Sequence, residues 1–432
     1  MEDVRYTPPL MADIRPFQGT RFTAKAGELK DLAAPPYDVI SPSEREALAG
    51  QNPHNVVLLT LPESEDGDRS KFVKYARSSS RLEQWVQSGA MAVEPEPSFY
   101  RYLQTFTTPE GARIQRQCMI ALIKVEPYEK GVVLPHEQTF PKHKEDRLRI
   151  LEATRSHLEC IYGLYEDPNQ TIFQAVDQAP GEIVGQFSSS DGIEHQFEVI
   201  SDPAVLNHLV ELFKTRKIWI ADGHHRYETA LAFRQTVPES AEPIAEDFMM
   251  MALSSMEDPG LVLLPTHRIL IRDVGDLRSK LHAPYWIIED CPNTDLMVTI
   301  EAIGETGQRA FGVAMRDGKG FIIKITDLDQ VVSQIPGDAS MELKSLDVTI
   351  LHEVIFAKHL GLSGLDFFGY TRIEQEALDA VEGDAFASFL MNPPSVHDMK
   401  VIANGGEKMP QKSTYYHPKI TSGLVLWRLS DF

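Results

Sequence analysis

Three cysteines in 432 residues, Cys118, Cys160 and Cys291, are too few and too scattered for a disulfide framework or a zinc motif. They fit a reducing compartment, and the chain reads as cytoplasmic. Any run of about eighteen apolar residues is also missing, so no transmembrane helix is expected. The start, Met1-Glu2-Asp3-Val4-Arg5, lacks the apolar core of a signal peptide. Basic residues are in deficit: 42 Lys and Arg against 63 Asp and Glu leave a net charge of -21. Nucleic acid and anionic membrane surfaces call for basic patches, so neither is expected as a partner. A small anionic ligand stays compatible, because one local pocket can be basic on an acidic protein. Internal repeats and long low-complexity segments are absent too.

What remains is ordinary globular material, 42% hydrophobic and 24% charged. The length gives room for roughly two or three domains and a sizeable core. The divisions read from the sequence are a mixed α/β region over 1–200, a ligand-binding segment over 201–270 and an α/β region over 271–432, with one interwoven unit as the alternative. The oligomeric state is not readable.

The richest stretch runs from Lys217 to Leu231. Ile218 to Ala221 is a short apolar run of the kind that makes a buried strand. Tyr227, Ala230, Leu231 and Arg234 are spaced at three and four, as on a helix. Between them stand Asp222, Gly223, His224, His225 and Arg226, four polar side chains at a strand-to-helix turn. A helix start offers unpaired N–H groups and a positive dipole end, which welcome an anion. Gly223 permits a tight turn or a close ligand, and Arg226 adds a two-pronged grip on phosphate or carboxylate. An Asp N-cap with surface histidines is an equal alternative for this stretch alone.

Other polar stretches follow predicted strands. Val133-Leu134-Pro135 leads into His136, Glu137, Gln138 and Thr139; a His beside a carboxylate suits proton transfer or metal holding. A metalloprotease motif would need a second His at position 140, which is Phe. Lys142 to Lys144 read as a solvated loop before a helix from Glu145 to about His157 that bears Arg147, Arg149 and Arg155. His267-Arg268 ends a strand and either faces the same pocket or is a satisfied loop pair. Near the C-terminus, Lys412-Ser413-Thr414 sits in a basic stretch running to Lys419. It is not a P-loop, because Gln411 stands where that loop needs Gly, yet Lys412, Ser413 and Thr414 suit phosphate or carboxylate. Met249 to Met251 read as core. Asn55 to Leu61 and Gly423 to Leu429 read as strands, and Leu346 to about Leu360 as a helix.

Asp222 to Arg226, with Ala230-Leu231 after it, resembles the nucleotide-binding box of the ParB and sulfiredoxin-like superfamily, and its form is most similar to the free-serine kinases. Over nearly the whole chain, Pro35-Pro36-Tyr37-Asp38-Val39-Ile40, His136 to Thr139, Ala221 to Leu231, Pro265 to Arg268 and Met409 to Lys419 resemble the domain-of-unknown-function family 1015. The fold implied is α/β of the mixed α+β kind, a ParB/sulfiredoxin-like core embedded in a larger mixed-sheet body. The function implied is a small-molecule phosphotransferase using ATP or ADP with magnesium on L-serine or a phosphorylated metabolite. A nucleotide- or metabolite-sensing protein without turnover is the alternative, and a metal-dependent hydrolase using His136, Glu137, His224 and His225 ranks third. Under the kinase reading His224, Glu137 and Asp222 carry the chemistry, with Asp222 also on the metal. Gly223, His225, Arg226, Lys412, Ser413 and Thr414 hold the nucleotide, and His136, Thr139, His267 and Arg268 the substrate. Glu28 and Glu137 are the candidates for the early catalytic Glu of those kinases.

Overall fold

The structure is a computed structural model that describes residues 12–432 apart from 110, 138 and 140, and not the side chains of 141–143. The start at Met1, Gln138 and the side chains of Lys142 and His143 therefore lie outside the described residues. The chain divides into two compact units. The first extends to Pro135, resumes over Thr139–Val262 and is completed by Pro418–Phe432; the second holds His136 and Glu137 with Leu263–His417.

The first unit is built on a mixed sheet, nine-stranded among the described residues. Phe99–Thr107 and Arg113–Lys124 form a long antiparallel hairpin, its first strand marked by the alternation of Tyr100 to Phe106 and its turn by Pro109 and Gly111. The Met-rich strand Phe248–Ser255 pairs antiparallel with Arg113–Lys124 and parallel with Ile161–Tyr165. Ile161–Tyr165 in turn pairs antiparallel with Ile218–Asp222, which runs parallel to Val133–Leu134. Strands this central are buried on both faces, which explains why they read as continuous apolar runs rather than alternating ones. Met249, Met251, Ile161, Ile218 and Ile220 share a core with Tyr227 and Ala230 of the helix His224–Gln235. That shared core fixes the helix against the sheet and so fixes the turn before it.

Three expectations need correcting here. Asn55 to Leu61 is not a strand: Val57–Thr60 is a helical turn whose Leu59 is buried in one core cluster with Trp85. A short apolar run carries no period, and the tertiary core decided its form. Gly423 to Leu429 is not a full strand either: Trp427–Arg428 pairs with Ser156–His157 and Leu426 makes an isolated bridge with Thr20. The helix predicted from Glu145 starts earlier, over Pro141–Thr154, so the Lys142 to Lys144 segment is helical. Ser41 caps Pro42–Gln51 through a full capping box with Glu44, a signal that local sequence carries by itself.

The second unit has a six-stranded sheet among the described residues, in the order Trp286–Pro292, Lys319–Ile325, Ala310–Ala314, Ala387–Leu390, His267–Leu270, Phe368–Thr371. All its pairings are antiparallel. The helix predicted from Leu346 is Asp347–Thr349 followed by ten residues of π-helix, Ile350–His359. Runs of π-helix are rare and often functional, and this one carries His352.

Candidate functional site

In the first unit, the strand Ile218–Asp222 ends on a register irregularity between Ile220 and Asp222. A bulge there bends the strand and re-aims its last side chain. Gly223 follows with φ +92 and is the N-cap of His224–Gln235, with no side chain capping the helix. A Cβ at Gly223 would stand 2.7 Å from Ile161 Cγ2 and 3.1 Å from Arg226 Nε. Glycine is required both for the left-handed backbone and for the space. The N-cap position falls to Gly223 instead of Asp222: the helix begins at His224, with Asp222 outside it. His224 is buried, His225 half-buried.

Asp222 instead pairs with Lys419 at 3.0 Å. Burial pushes its carboxyl up, but Lys419 and Arg226 outweigh burial and hold it at about 2. Burial likewise works against the charge of Arg226, and Glu159, Asp222 and Asp38 more than offset it. Arg226 Nη1 donates to the carbonyl of Cys160 at 2.6 Å. Tyr37 lies between two guanidiniums, 4.0 Å from Arg147 and 5.8 Å from Arg226. Its phenol is pushed up to about 12, chiefly by burial. Glu159 Oε1 accepts from Tyr37 N at 3.0 Å and Ser422 Oγ at 2.9 Å, and Arg147 stands 3.8 Å from Oε2. Thr139 Oγ1 donates to Glu228 Oε2 at 2.6 Å, and Lys144 pairs with the same carboxylate.

The second unit gathers the other predicted residues. His136 Nε2 and Thr414 Oγ1 are 2.9 Å apart, and His136 O accepts from Met409 N at 2.7 Å. Glu137 bridges Met409 along the backbone and reaches Lys412 N at 3.4 Å. Lys412 itself holds φ +58, unusual for a residue with a Cβ. Ser413 Oγ donates to Pro410 O. Arg268 is fully buried and donates to His352 Nε2 at 3.1 Å, to Lys412 O at 3.1 Å and to Thr266 O. His267 Nδ1 faces Met391 N at 3.4 Å, and burial holds His267 down at about 4. Glu28 lies elsewhere, on the surface of the first unit in an ion pair with Lys30 at 2.7 Å.

Asp222, Gly223, His224, His225 and Arg226 thus share one turn, while His136, Glu137, Lys412, Ser413, Thr414, His267 and Arg268 form a separate hydrogen-bonded group in the other unit. Around the turn the sequence reading passed over Lys419, Glu159, Arg147 and Tyr37 as partners. Tyr37 had a signal, since it lies in the Pro35-Pro36-Tyr37-Asp38 motif; a lone Glu159 had none. Among the described residues no group of three His, Cys, Asp or Glu is arranged to hold a metal ion.

The fold is similar, at low identity, to several solved structures. A point mutant of a free serine kinase in complex with AMP is 14% identical with a TM-score of 0.38, over 72% of this chain and 94% of that one. A second mutant of a free serine kinase, in complex with ADP, is 12% identical with a TM-score of 0.38 and the same coverage, 72% and 94%. A conserved hypothetical protein from Pyrococcus furiosus is 15% identical with a TM-score of 0.35, covering 72% of this chain and 97% of its own. No curated protein matches the chain in sequence. The family described as "Protein of unknown function (DUF1015)" matches over residues 14–349, and the chain belongs to that family.

Proposed function

We propose that the turn from Asp222 to Arg226 binds the phosphates of a nucleotide, and that the protein is a small-molecule phosphotransferase similar in its box to the free-serine kinases, on a ParB/sulfiredoxin-like core. The observation that carries this reading is the start of His224–Gln235 behind Gly223, an N-cap that brings no side chain to the turn, with the cation Arg226 in its first turn. Helix-start amides and a guanidinium are what phosphate oxygens require, and phosphoryl transfer is largely positioning and charge neutralisation.

Asp222, held at about 2, is fully ionised and a poor base at neutral pH. Its oxygens suit one ligand position on a magnesium ion whose other ligands are phosphates and water, and such an ion would neutralise phosphate charge. His224, buried beside Asp222, is then the group assigned to take the proton of the acceptor hydroxyl. Gly223 and His225 complete the phosphate cradle. Lys412, Ser413 and Thr414 already make hydrogen bonds within their own unit.

Titration with ATP and ADP in magnesium should show binding that Arg226→Ala weakens by at least about tenfold, the worth of one charge-assisted contact. Incubation with L-serine and either nucleotide should yield phosphoserine. Binding without product from any small hydroxylated acceptor would favour the sensing alternative, and no nucleotide binding at all would sink the reading.

A further inference from the structure

Inside the first unit a cavity of about 50 Å³ is lined by Thr60, Arg147, His157, Glu159, Arg226 and Met249, among others. Three of these residues bring a buried donor that has no hydrogen-bond partner among the described residues: Thr60 Oγ1, Arg147 Nε and Arg226 Nε. Thr60 is 1% exposed and the Arg147 side chain 7%. Buried donors are almost always paired, so three orphans around one cavity need a shared acceptor. The space is far below the several hundred Å³ of a nucleotide or drug-sized pocket, but above the minimum for a single water.

Charge narrows the choice. Two guanidiniums and one carboxylate line the cavity, and burial holds His157 at about 4, so it is neutral near pH 7. The lining carries one net positive charge. Both Glu159 oxygens are engaged: Oε1 by Tyr37 N and Ser422 Oγ, Oε2 by its approach to Arg147. Asp146 takes Arg147 Nη2 at 2.5 Å, and Asp222 and Asp38 act on Arg226. A divalent oxyanion would meet that carboxylate field at full cost; a small monovalent anion meets half of it and still satisfies three donors.

We propose that this cavity is a structural site for a small monovalent inorganic anion, chloride in a cellular setting, held by Thr60, Arg147 and Arg226. It ties the helical turn Val57–Thr60, the helix Pro141–Thr154 and the helix His224–Gln235 to one buried charge. The site shares Arg226 with the proposed phosphate cradle but engages its Nε, while Thr60 and Arg147 have no part in that cradle, so the two readings can fail separately.

The test compares thermal unfolding of the whole protein in sodium bromide, chloride and gluconate at equal ionic strength, with a bromide-derivatised crystal read by anomalous scattering. Bromide and chloride should raise Tm by about 3 °C over gluconate, with saturation, and a bromide peak should lie in the cavity. Thr60→Val should remove at least half of that halide gain and Thr60→Ser should keep it. Arg147→Lys, which retains charge but lacks the Nε donor, should also lose it. Equal Tm in all three salts, or a Thr60→Val response like that of the parent, overturns the proposal. So does a bromide peak seen only after concentrated soaking without a solution effect, which marks an adventitious ion only. Nucleotide titration of Thr60→Val in gluconate separates the two sites: unchanged binding there leaves the phosphate reading untouched whichever way the halide result falls.

Discussion

Arg226 and Arg268 both follow a histidine close to a buried strand, yet their surroundings make them opposites. Arg226 stands among Glu159, Asp222 and Asp38, which strengthen its charge against the cost of burial. Arg268, wholly buried, meets neutral acceptors among the described residues: the carbonyls of Thr266 and Lys412, His352 Nε2, Met391 Sδ and the face of Tyr370. Burial there drags its guanidinium down to about 10. The same dipeptide is a carboxylate-supported cation in one unit and a hydrogen-bonding strut in the other. For Arg268 the charge is a burden carried for the sake of geometry; for Arg226 it is sustained by the carboxylates around it.

The largest expected effect comes from removing the strut. Arg268→Met leaves two buried carbonyls and a ring nitrogen without donors, and should cost about 4 kcal/mol in urea unfolding. That loss should change little from neutral pH down to about pH 5, because its carbonyl acceptors do not titrate. Arg226→Met should cost less, about 2 kcal/mol at neutral pH, since Asp222 keeps Lys419 and Glu159 keeps Tyr37 N and Ser422 Oγ. Its deficit should depend on pH. Asp222 is depressed from 3.8 to about 2, so the stability it contributes is present above 3.8 and lost as the pH falls through about 2. The deficit of Arg226→Met should therefore fade over that window. A flat Arg226→Met profile would erase the distinction between the two arginines.

The smallest effect sharpens the strut itself. Burial, with Arg268 adding to it, holds His352 at about 3 against an ordinary 6.5. Below 6.5 the unfolded chain takes up a proton that folded His352 refuses, so stability falls with pH from 6.5 toward 3. His352→Gln keeps an acceptor for Arg268 Nε and removes this titration. It should recover about 1 kcal/mol of the stability the parent loses between neutral pH and about pH 5.5.

The two arginines also mark how far the sequence could be read. Ile218 to Ala221 and the helix after them were legible because a central strand is a continuous apolar run and an amphipathic helix has a period. The polar turn between them was legible as a cluster. Its meaning was not, since Gly223 rather than Asp222 caps the helix, and Asp222 turns to Lys419. Glu159 could not be found at all: nothing local distinguishes a glutamate that will be buried between Tyr37, Arg147 and Ser422 from one in solvent. Asn55 to Leu61 failed for the converse reason, as three buried apolar residues, Val56, Val57 and Leu59, pack equally well as a turn of helix or a strand.

By itself, then, the sequence determined what local chemistry controls: the hairpin from Phe99 to Lys124, the capped helix at Pro42–Gln51 and the helix after Gly223. Tertiary structure alone decided which charges meet. A pKa or an ion pair depends on distance and burial, and those arise only when the segments carrying Tyr37, Arg147, Glu159, Asp222 and Lys419 are folded into one unit.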